Sequence, residues 1–292
     1  MKNGLLVLWS LGWRVCLLLA AWQLVYQAVI KSPARFAESN LVSNQIRLQE
    51  INDESQPQGV LIGPSMIARL SAEKASTGEI SIIQMGLDGG HGRLGLNLLE
   101  ELGKQPEIVI IEGNSLAMAA TGNEDFLLGQ ISEPVFKIAA VLPSVRAAQR
   151  PSAVVYSRLK EWKDGRNGTI TELSKEPLPL GLVSPVASEL SQVEHKRMEE
   201  LISRVEGLGI SWDRVLIVML PNGAHKNLSD YGIASELQKR TGVRILDLKG
   251  HAKEGEYRFT DGLHLDLASG NRVSERVRHV LQNHFSKKTG VD

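Results

Sequence analysis

The sequence predicts an α/β fold in which a parallel sheet of about five strands carries helices on both faces, preceded by one N-terminal transmembrane helix. Three observations predict it. Short runs of Val, Ile and Leu recur along the chain, helix-like segments lie between them, and a long apolar stretch stands ahead of them all.

That stretch, "LLVLWSLGWRVCLLLAAWQLVYQAVI" from Leu5 to Ile30, is long enough to cross a bilayer of about 30 Å. Arg14, placed near the cytoplasmic face with Lys2, snorkels under the positive-inside bias and leaves Val15 to Ile30 plus part of the preceding turn as the span. A cleavable signal peptide competes with this reading, but "LAAW" is a weak cleavage site. A buried core helix fits badly, because the segment is apolar on almost every face. Residues 1–31 are therefore expected to form an uncleaved anchor in a bacterial inner membrane, with everything downstream periplasmic. Residues 32–58 are polar with an amphipathic middle and read as a membrane-proximal connector to a domain over residues 59–292.

The strands follow in order. "GVLIG" starts at Gly59, "EISIIQMG" at Glu79, "EIVIIEGN" at Glu107, "RVLIVMLPNG" at Arg214 and "GVRILDLKG" at Gly242. Continuous apolar runs suit parallel strands buried on both faces. Met66 to Glu73 reads as a helix after the first run, and "LSDYGIASELQKRTG" as one that Gly242 stops. Residues 117–209 break the alternation and are expected to be an insertion covering one side of the site, ending in the amphipathic helix of "VASELSQVEHKRMEELISRVEGLG".

Composition narrows the chemistry. The chain has 292 residues, 42% hydrophobic and 23% charged, with a formal net charge of zero. No broad basic field favours nucleic acid. The single cysteine, Cys16, rules out an intrachain disulfide, and no histidine set has metal-ligand spacing, so neither a catalytic metal nor a cofactor is expected.

Parallel sheets place ligands at the carboxyl ends of their strands. The first run ends in Gly63-Pro64-Ser65, where Ser65 is either a helix cap or a hydroxyl held beside helix amides. The second ends in "QMGLDGGHG", a turn whose glycines at 86, 89, 90 and 92 present backbone amides. The third ends in "EGNSL", placing the amide of Asn114 where it can donate to a developing oxyanion. After the last run comes "RFTDGLHLD", in which Asp261 can reach His264, fix its tautomer and leave the other ring nitrogen to take a proton from a hydroxyl. His91 either touches substrate or begins a helix in solvent, and His225 either lines the cleft or sits in a plain loop.

In their order and strand context these blocks resemble the SGNH (GDSL-like) hydrolase superfamily over roughly Val60 to Gln282. The resemblance implies that Ser65 is the nucleophile, His264 the general base and Asp261 its orienting partner. The amides of Ser65 and Gly89 and the side chain of Asn114 would form the oxyanion hole. Two positions depart from the family pattern: Pro64 stands where Asp is usual, and Gln84 where Asn is usual. The expected function is a membrane-anchored extracytoplasmic serine esterase or O-acyltransferase, acting on an acylated small molecule or a glycan, with partner proteins of a polysaccharide export or modification system. The alternative is a non-catalytic glycan-binding or assembly component that keeps the fold.

Overall fold

The computed structural model describes residues 2–30, 33–34, 36–119, 123–142, 145–165, 179–183, 189–222, 228–253 and 255–285. All five apolar runs form strands: β1 (Gly59–Gly63), β2 (Ile82–Gly86), β3 (Ile108–Glu112), β4 (Val215–Met219) and β5 (Arg244–Asp247). They make one parallel sheet in the order β2-β1-β3-β4-β5. Every residue of β1, β3 and β4 is buried, which is why these strands read as unbroken apolar runs.

Among the described residues the helices are α1 (Lys2–Val25), α2 (Asn40–Asp53), α3 (Ala72–Ala75), α4 (Gly92–Glu101), α5 (Asn123–Ser132), α6 (Pro134–Val141), α7 (Pro151–Gly165), α8 (Gln192–Gly207), α9 (Leu228–Thr241), α10 (Leu248–His251) and α11 (Leu267–His284). Strand alternation divides the core between two faces. Val60, Ile62, Val109 and Ile111 face the layer containing α2, α4, α8 and α9. Leu61, Ile108 and Ile110 face α3 and α11. Asp266 caps α11 by accepting from the Ser269 amide, and Gly242, at φ +71°, ends α9.

The chain runs β1, then β2 on one side, then returns past β1 to place β3 on the other. This reversal puts the topological switch point between the ends of β1 and β3. Ser65 follows β1 directly.

Three expectations change. First, no helix among the described residues is long and apolar enough to cross a membrane, so the N-terminal transmembrane helix is not supported. Ser10, Arg14 and Gln23 interrupt the apolar run of α1. Its Trp9, Leu18 and Leu24 are nevertheless 75%, 71% and 68% exposed, while its end is packed. Trp22 donates its indole N–H to the Gln149 carbonyl at 2.6 Å, and Tyr26, in the turn that continues α1, is buried with Val42, Ile46 and Val154.

Second, residues 32–58 are more than a connector, because α2 belongs to the fold. Its Ile46, Leu48 and Ile51 are buried, each contributing roughly 1.5–3 kcal/mol by leaving water. Third, the helix expected over Met66–Glu73 is a single 3-10 turn, Ile67–Arg69, followed by the four residues of α3.

Candidate active site

The ends of β1 and β2, and the hairpin that follows α10, each supply one part of the site. After β1, Ser65 lies in the turn that leads into the 3-10 turn, closed by the Ile67 amide donating to the Pro64 carbonyl at 3.0 Å. The turn is held from β2, where the Gln84 side-chain amide donates to the carbonyls of Ile67 at 2.5 Å and Leu70 at 2.6 Å. Gln84, one of the two departures from the family pattern, thus braces the backbone that carries Ser65.

Gly86 makes this close approach possible. A Cβ there would lie 2.3 Å from the Ala68 amide nitrogen and 2.7 Å from its Cα, both backbone atoms that cannot swing aside. Gly86→Ala should therefore displace the 3-10 turn. Were Ser65 a nucleophile, a misplacement of about 1 Å would cost on the order of 10²-fold, and kcat/KM for a small ester should then fall by about that factor while the far-UV circular dichroism is retained. Unchanged turnover would show that the turn does not position Ser65.

The residues after β5 and α10 present His264. Phe259 and Leu265 form an antiparallel bridge, and Asp261 to His264 make the tip of this small hairpin. Asp261 Oδ1 accepts from the amides of Leu263 at 3.1 Å and His264 at 2.8 Å, and its Oδ2 is 2.7 Å from His264 Nδ1. These bonds, the His264 amide foremost, hold the Asp261 carboxyl well below its ordinary range. An ionised carboxylate at Nδ1 puts the ring proton there and leaves Nε2 as acceptor. Nε2 faces Ser65 Oγ at 2.7 Å.

A cavity of about 260 Å³ opens over this pair, bordered by Ser65, Gly89 and His264 from the strand ends. The backbone beside Gly89 is held by α2, which sequence reasoning left outside the domain. Asn44 accepts from the Asp88 amide at 2.8 Å and donates to the Asp88 carbonyl at 3.1 Å. Asn40, Ser43 and Arg47 of α2, and Tyr156 and Lys160 of α7, complete the wall.

Not every expected residue joins them. Asn114 does not border this cavity; its amide is bonded both ways to Leu220, donating to the carbonyl and accepting from the amide at 2.8 Å each. It splices the tip of β3 to the end of β4, and its Nδ2 carries a second hydrogen. His91 starts α4 as expected, but it is 2% exposed rather than solvated. Its Nδ1 accepts from the Leu94 amide and its Nε2 meets Glu124 at 2.5 Å, so it is structural and does not border the Ser65 cavity. Burial foremost lowers its pKa. His225 lies outside the described residues. No metal-binding cluster of His, Cys, Asp or Glu occurs among the described residues.

One group near the site had no signal in the sequence reading. Glu112 ends β3, and its side chain is so close to Gly63 of β1 that a Cβ on Gly63 would lie 2.6 Å from the Glu112 Cβ. Burial foremost, with a smaller push from the Asp230 carboxylate, raises its carboxyl to about 8. Compared with protein families, with curated proteins and with solved structures, the chain matches none.

Proposed function

We propose that this protein is a serine esterase or O-acyltransferase of the SGNH type, acting through an acyl-serine intermediate on a carbohydrate ester. The observation that carries the proposal is the relay Ser65 Oγ, His264 Nε2, His264 Nδ1, Asp261 Oδ2, with 2.7 Å at each of its two hydrogen bonds. A serine acting only as a cap needs neither the imidazole nor its carboxylate.

In this mechanism Ser65 Oγ attacks the ester carbonyl while His264 Nε2 takes its proton. The carbonyl oxygen becomes an oxyanion, to which the amides of Ser65 and Gly89 are assigned as donors, while Asn114 joins the ends of β3 and β4. Collapse breaks the bond to the alkoxy group, which leaves with the proton from His264. Water or a hydroxyl acceptor then gives its proton to His264 and takes the acyl group, regenerating Ser65. Which of the two resolves the intermediate separates hydrolase from transferase.

The test uses the full chain with nitrophenyl acetate and a fluorophosphonate probe. Wild type should hydrolyse the ester and carry the probe on Ser65, and Ser65→Ala should lose both. A folded wild type that does neither returns the reading to a non-catalytic glycan-binding component.

A further inference from the structure

The cavity over Ser65 does not end there. It shares Arg69, Tyr156 and Lys160 with a second cavity of about 710 Å³, whose other walls include Lys163 of α7 and Arg258 and Phe259 of the hairpin that carries Asp261. A molecule reacting at Ser65 therefore has room to continue past Lys160 into this larger basin.

The basin is charged in one sense. Among the described residues, Arg69, Lys160, Lys163 and Arg258 border it, against one carboxylate, Asp266, which pairs with Arg258 at 3.1 Å. The protein as a whole carries no net charge, so this concentration is local. The four cations come from three separate elements: the 3-10 turn after Ser65, α7, and the hairpin stem. Lys160 is also fixed in place, its ammonium lying 4.4 Å from the centre of the Phe36 ring. A cleft lined by one sign of charge attracts ligands of the other sign and raises their rate of arrival. Tyr156 and Phe259 add surface on which a ring can rest.

We propose that the substrate is an anionic ester, whose phosphate or carboxylate group occupies the basin of Arg69, Lys160 and Lys163 while its acyl carbonyl lies at Ser65. The inference rests on the serine-esterase reading for its chemistry but not for its binding. The guanidinium of Arg69 can hold a phosphate or carboxylate in two-point geometry, and the two lysines supply point charges beside it. On this proposal the uncharged nitrophenyl acetate is a poor substrate that fills only the smaller cavity.

Three acetyl esters of similar shape test the proposal on the full chain: 4-acetoxybenzoate, 4-acetoxyphenyl phosphate, and the neutral methyl 4-acetoxybenzoate. At low ionic strength kcat/KM should favour at least one anion over the neutral ester by tenfold or more, and this ratio should fall as salt is added. Whichever anion is preferred identifies the group as carboxylate or phosphate. Lys163→Glu should reduce the ratio at least tenfold, with Lys163→Gln in between. Calorimetric titration of Ser65→Ala with the same two anions reads binding without turnover, and the added Lys163→Glu change should weaken it tenfold. Binding that follows Lys163 when no ester is turned over would sustain the anion site and remove the esterase reading. Equal turnover of all three esters, insensitive to salt and to Lys163→Glu, would overturn the anion site and leave the esterase reading intact.

Discussion

Asp261→Asn is expected to lower kcat for ester turnover by about 10³–10⁴-fold without disturbing the hairpin that carries it. The asparagine oxygen can still accept from the amides of Leu263 and His264, so the turn keeps its two backbone bonds. What changes is the group opposite His264 Nδ1, which becomes an N–H donor in place of a carboxylate oxygen. The imidazole must then accept at Nδ1 and carry its proton on Nε2, and the nitrogen facing Ser65 has nothing left with which to take a proton. Asp261 is 53% exposed, so solvent screens its charge, and control of the tautomer is the larger part of the effect. Steady-state kinetics with a small ester, beside thermal melts of both proteins, measures it. A loss below tenfold would mean that Asp261 shapes the loop and nothing more.

The second large effect is on stability and concerns Glu112. Its carboxyl titrates near 8 in the folded protein against an ordinary value of 4.5. Between those values the folded state holds a proton that the unfolded state has released. Unfolding free energy therefore falls as pH rises through that window, by up to 1.36 kcal/mol per unit, or on the order of 3–5 kcal/mol in all. His91 acts in the opposite sense, since its lowered pKa favours the folded state as pH rises towards 6.5. Comparing wild type with Glu112→Gln isolates the carboxyl, because glutamine keeps the shape and has no proton to lose. Urea denaturation at pH 5 and pH 8.5 should show wild type losing several kcal/mol relative to the variant at the higher pH. Parallel pH dependence in the two proteins would place the titrating group elsewhere.

The sheet was legible because burial on both faces leaves little choice of residue. Val60 to Ile62, Ile108 to Ile111 and Val215 to Val218 are apolar throughout, and no turn residue interrupts them. The relay of Ser65, His264 and Asp261 was legible for a different reason: strand ends are where a parallel sheet presents side chains, and only a few polar residues stand there. The helix α2 was hidden by its composition. Asn44 and Arg47 are buried polar residues that read as solvent-facing until their partners are known. Gln84 was read against a family motif and Gly86 as part of an amide-presenting turn, whereas their work is to hold a turn seventeen residues away in the chain and to make room for Ala68. The cationic basin was the least legible feature. Arg69, Lys160 and Arg258 are far apart in the sequence and meet only after folding.

The packed end of α1 changes what tethering would mean for this protein. A domain on a loose leash samples a sphere of positions, and its reach grows with the length of the leash. Here Trp22 and Tyr26 seat the end of α1 against the domain, with Gln149 and Val154 at the start of the segment that leads into the basin wall. Whatever holds the front of α1 would therefore hold the domain through a packed joint and not a loose leash. On the proposed esterase reading, the protein would act on material that passes a fixed point, and its choice of target would be partly a matter of geometry.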